Sequence, residues 1–128
     1  MPPDAKNNIA GLYTLLSKLR LEEYLSSPNF TVFCKEHDLA DTWKEHVDSS
    51  RDRPDLYGKD ITKNAFILFF QHIFQTRPRE FLVLLTAFLQ DFREWNPHPL
   101  PVEALKKECA GLGFPDKTVE DEFLKIGI

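Results

Sequence analysis

Apolar positions recur along this chain with a period near 3.6 residues, and that period predicts helices almost throughout. Strand alternation bounded by turns is absent, and no repeat of roughly 20–50 residues is visible. The first helix is expected to start at Asp4, an N-cap residue, with Ile9, Leu12, Tyr13, Leu16 and Leu19 on one face. It continues through Tyr24 and Leu25, with a break near Arg20. Ser27 then caps a second segment, and Pro28 fits its first turn, where a missing N–H costs nothing. That segment carries Phe30, Phe33, Cys34, Leu39, Ala40, Trp43 and Val47. Its stripe drifts around Asp38, so it reads as one helix or as two short ones joined near Asp38 or Asp41. DSSRDRPDLYG, from Asp48 to Gly58, is the clearest loop by composition.

The pattern changes from Asp60 to Thr76. Ile61, Ala65, Phe66, Ile67, Leu68, Phe69, Phe70, Ile73 and Phe74 cover most of the circumference. Such a helix belongs at the centre of a bundle or at a subunit interface. Asn64, Gln71 and Gln75 form its narrow uncharged strip. Pro78 opens the next helix, which reaches Trp95 with a clean stripe of Phe81, Leu84, Leu85, Phe88, Phe92 and Trp95. NPHPLP forces an extended connection. Pro101 opens a short helix with Val102, Leu105 and Cys109, and Gly111 is expected to end it in a left-handed cap. Thr118 to Lys125 forms the last helix. The chain closes on FLKIGI, either docked on the body or cut from a longer native chain. The expected fold is all-α: a single compact bundle of five to seven helices spanning residues 1–128, with a central aromatic-rich helix.

Composition sharpens this picture. The 128 residues fit one domain, and 11 phenylalanines supply a large core. That aromatic supply exceeds what a monomer would be expected to bury, which points to a protein partner or a homo-oligomer. The formal net charge of −4 argues against broad coating of nucleic acid. Cys34 and Cys109 are the only cysteines, which suits a reduced, cytoplasmic chain. No secretory signal is read in the polar MPPDAKNN, and no apolar run approaches the roughly 20 residues of a membrane span.

Candidate chemistry concentrates in CKEHDLADTWKEH, from Cys34 to His46. On one continuous helix, His37 and His46 would face opposite ways and could not share a metal ion. Cys34, His37 and Asp41 remain as a candidate polar cluster, with zinc the metal that suits such a set. The simpler expectation is a core Cys34, a half-buried His37 and solvated Glu36, Glu45 and His46. His72 could form a buried relay with Gln71 and Gln75. The simpler expectation sets it at the rim of the core, satisfied by a carbonyl or water. His98, between two prolines, is expected to be exposed. Arg51, Arg53, Lys59 and Lys63, with Arg77 and Arg79, form a candidate basic patch that Asp52 and Asp55 blunt.

Templates for dinucleotide binding, phosphate loops, nucleophile elbows and calcium loops all fail on residues present. No cofactor is implied. LRLEEYL and FLKIGI each resemble pieces of sterile-alpha-motif domains. They sit at opposite ends of the chain with too long a stretch between them, and no family is assigned. The leading expectation is a non-catalytic intracellular protein-interaction domain, adaptor or regulatory in kind. The alternative is a small helical nucleic-acid-associated protein using the arginine and lysine patch.

Overall fold

The computed structural model describes residues 5–52 and 61–127, with side chains from residues 7–51 and 61–127. Eight helices and no strands occur among them: α1 Ala5–Ser17, α2 Leu21–Leu25, α3 Pro28–Glu36, α4 Ala40–Asp52, α5 Ile61–Thr76, α6 Phe81–Trp95, α7 Val102–Gly111 and α8 Asp116–Lys125. The all-α class holds, and the count exceeds the expected five to seven because both suspected breaks are real. Arg20 and Asp38 each adopt positive φ, 68° and 57°. A left-handed residue ends a helix wherever its neighbours can cap the freed carbonyls.

The break at Asp38 shows how. Leu39 N–H donates to the Cys34 carbonyl at 2.7 Å, and Asp38 N–H donates to Lys35 at 3.3 Å. This pair of bonds is a Schellman motif, and its apolar contact joins Cys34 and Leu39, both buried. A non-glycine residue in this conformation costs about 1–2 kcal/mol. Asp38→Gly is therefore expected to stabilise the fold by about 0.5–1 kcal/mol, read as a raised urea midpoint with an unchanged slope.

Ser27 caps α3 as expected, its Oγ accepting from Phe30 N–H at 3.4 Å. Other boundaries moved. Pro78 to Glu80 form a turn, and α6 starts only at Phe81. The loop expected from Asp48 begins later, because α4 runs on to Asp52. Ser50 there is fully buried, so packing of α4 outweighs the turn preference of Asp and Ser. Gly111 does not take the left-handed cap. It closes α7 in helical geometry, and Gly113 takes positive φ at 102° instead. A methyl on Gly111 would overlap the Asn8 side-chain amide of α1, so this glycine serves close approach of the two helices. Asp4, Arg53, Lys59, Asp60 and the rest of the expected loop beyond Asp52 lie outside the described residues.

One apolar cluster joins the eight helices. α5 packs against α1 and α4, α6 against α2, α3 and α8, and α7 against α1 and α8. α5 buries the consecutive Asn64, Ala65, Phe66 and Ile67, as a helix apolar nearly all round should. Centrality is shared with α6, whose Phe88 meets six other rings. Ten of the 11 phenylalanines are buried, and Phe114 is half-buried. The core of one chain thus takes in nearly all of the phenylalanine. α8 docks through Val119, Phe123 and Ile126, and Arg93 donates to the Ile126 carbonyl at 2.5 Å.

Candidate binding surface around Trp43

The break at Asp38 turns the chain out of α3 and lets α4 pack on α5. It thereby brings Trp43 onto the core edge. The indole stands perpendicular to Phe30 at 5.0 Å and to Phe69 at 5.3 Å between centroids. Two edge-to-face pairs on one ring fix its orientation. Trp43 stays half-buried and lines a recess of about 300 Å³. Leu25, Val47 and Ile61 supply its other apolar wall, while Ser26, Thr62 and Arg51 supply polar groups. Ile61, placed on the buried stripe by sequence, is 38% exposed here. Trp and Arg, both present in this mixed polar and apolar lining, are the residue types that dominate binding energy at protein interfaces.

The candidate chemistry is dispersed by comparison. Cys34 is buried among Phe30, Phe33 and Leu39, and burial pushes its thiol up to about 12. His37 is half-buried against Phe33, ring centroids 4.5 Å apart, and Asp41 is exposed. Among the described residues, no group of three or more His, Cys, Asp or Glu side chains could hold a metal ion. A thiol that keeps its proton is a poor zinc ligand, so the Cys34–His37–Asp41 cluster does not assemble as a site. Cys109 is equally buried and likewise pushed up to about 12.

The glutamine strip on α5 also separates: Asn64 is fully buried, Gln71 half-buried and Gln75 exposed. His72 is exposed rather than part of a buried relay, as is His98. His46, expected in solvent, is half-buried and lies against His72. No signal within either helix could have revealed that pair, because only the packing of α4 on α5 creates it.

The described basic residues, Arg51, Lys63, Arg77 and Arg79, do not gather into one patch. Arg51 lines the recess beside Ile61 and Thr62, at the start of α5, and Lys63 lies in the same first turn. Arg77 and Arg79 follow the other end of α5, and 16 helical residues separate these ends by about 24 Å. Arg51 faces Asp48 at 3.9 Å, and Arg77 faces Glu80 at 3.9 Å. A second groove, between α7 and α8, spends its charge internally. Lys106 reaches Glu120 at 3.0 Å and Glu103 at 3.8 Å, with its ammonium over the Phe123 ring.

The buried Tyr24 hydroxyl donates to the Asp91 carboxylate. Burial first, then that carboxylate, push the phenol well above its ordinary range. It is held as a structural donor and not activated for proton transfer. No helix among the described residues is long and apolar enough to cross a membrane. Comparison with known families, curated proteins and solved structures finds no match.

Proposed function

We propose that this chain is a non-catalytic interaction module, adaptor or regulatory in kind, that takes an apolar segment of a partner protein into the Trp43 recess. The recess carries this reading. It joins a rigid half-buried indole, the exposed Ile61 and Val47 to polar groups that can satisfy a partner's backbone. A preorganised anchor loses little entropy on binding. The two free cysteines support an intracellular, cytoplasmic setting. Nucleic-acid binding has weaker support, since the described cations of the candidate patch sit at opposite ends of α5.

The test compares two baits in the native cell extract, the wild-type chain and Ile61→Asp. Ile61 is already partly exposed, so the substitution is expected to leave the melting temperature within a few degrees. The aspartate would place a charge beside Trp43, Val47 and Leu25 in the recess. A directly bound partner, reconstituted from purified components, is expected to bind the variant about tenfold more weakly or worse. Equal affinity for both chains would move the interface elsewhere. Recovery of the wild type only as an unbound monomer would overturn the proposal.

A further inference from the structure

His46 of α4 and His72 of α5 are remote in sequence, yet their ring centroids lie 5.4 Å apart with planes inclined at 56°. We propose that this pair is a binding site for a borderline divalent transition metal such as zinc, with each histidine giving one ring nitrogen and the ion bridging α4 to α5.

The spacing carries the proposal. Zinc bound about 2.0–2.1 Å from a ring nitrogen lies about 3.2 Å from that ring's centre, so two imidazoles at a tetrahedral angle have centroids about 5.2 Å apart. The observed 5.4 Å is that separation within a fraction of an ångström. Rotation about the terminal side-chain torsion, which is soft in histidine, suffices to aim the nitrogens.

The surroundings agree. Among the described residues, no hydrogen bond ties either imidazole. His72 is exposed and His46 half-buried, so an ion reaches both from solvent. The unprotonated ring is the form that binds metal, and the negative charge of Glu45 favours a cation beside it. Imidazole donors select zinc, copper or nickel over magnesium and calcium.

The protein supplies two ligands here, and water completes the coordination. A site with open positions exchanges its metal more readily than a closed four-ligand structural site. Its consequence is mechanical. The ion would cross-link α4 to α5 close to the Trp43 recess, and binding to the folded state alone raises stability by mass action.

The experiment uses the untagged full chain, freed of metal and titrated with zinc chloride. Thermal unfolding is followed for the wild type, His46→Gln, His72→Gln and Cys34→Ser. The wild type and Cys34→Ser are expected to gain roughly 5 °C at saturating zinc, and both glutamine variants to gain nothing. Copper(II) on the isotopically labelled wild type supplies a readout independent of variant folding: it should broaden the His46 and His72 ring signals first. No zinc shift in the wild type would overturn the proposal. So would a shift retained in both glutamine variants, or broadening centred on His37 or His98.

Discussion

Replacing Phe88 with alanine is expected to cost about 3–5 kcal/mol, the largest loss of any single truncation in this fold. The ring is fully buried and meets Tyr24, Phe30, Phe33, Phe66, Phe70 and Phe92, with centroids 5.2 to 6.5 Å away. Those rings come from α2, α3, α5 and α6. Truncation therefore opens a cavity at the point where four helices meet. How far the cavity collapses sets the cost within that range. Collapse is hindered here, because the neighbours are themselves held by other rings. Phe30 is held by Trp43 and Phe69, and Phe70 by Phe66, Phe69 and Phe81. Domains of ordinary stability hold about 5–15 kcal/mol in total, so the variant should unfold at a much lower urea concentration. Phe88→Leu keeps most of the apolar area and should lose less than half as much. Val83→Ala, on the same helix but at a position 51% exposed, should stay within about 0.5 kcal/mol. A Phe88→Ala loss no larger than that of Val83→Ala would mean that the ring cluster does not organise the core.

Phe88 also shows what patterning can and cannot reveal. Its stripe on α6 is legible from period alone, since Phe81, Leu84, Leu85, Phe88 and Phe92 follow the helical repeat and all are buried. Its place as the meeting point is not legible, because period assigns a face and never a neighbour. The helix breaks divide in the same way. A drift in the stripe locates Asp38, but the left-handed backbone there lacks the glycine that normally announces it. Arg20 likewise lacks a glycine, and the count rose to eight because both expected breaks are real. Gly111 errs in the opposite direction: a glycine near a helix end reads as a cap, whereas here it makes room for Asn8.

The candidate site was less legible than the fold. His37 and His46 turn apart only on one continuous helix, which the break at Asp38 removes, and that spacing says nothing about His46 and His72. Their meeting depends on the α4–α5 packing. The Trp43 recess has the same origin, drawing residues from the end of α2, from α4 and from the start of α5. Eleven phenylalanines suggest a surplus only if the core is assumed small, and eight interlocking helices make it large enough to hold nearly all of them.

By pH 10 the chain is expected to have lost about 3 kcal/mol of the stability it has at pH 7, most of it above pH 9. The cause is the pair of buried thiols. Cys34 and Cys109 have ordinary values of 9.0, and burial pushes each up to about 12 in the folded chain, with Glu108 adding to the effect at Cys109. The folded pKa is raised, so the contribution is fully present below the unfolded value. It is lost as pH rises from about 9 towards 12, because the unfolded chain sheds protons that the folded chain retains. Each group contributes about 1.4 kcal/mol per pH unit across that window, which gives the loss of about 3 kcal/mol for two. Tyr24, whose phenol is also shifted upward, joins only above its ordinary value of 10.0. Urea titrations between pH 7 and 10.5 check the prediction. Cys34→Ala and Cys109→Ala should each remove about half of the slope above pH 9, whatever either costs at pH 7. The slope is therefore a readout of proton release and not of the small cavity that the substitution leaves. Neither thiol should react with iodoacetamide in the native state at pH 8, since the nucleophile is the thiolate and burial suppresses it. An unchanged alkaline slope in both variants would place the thiols in contact with solvent, contrary to their packing beside Phe33 and Leu105 in the core cluster.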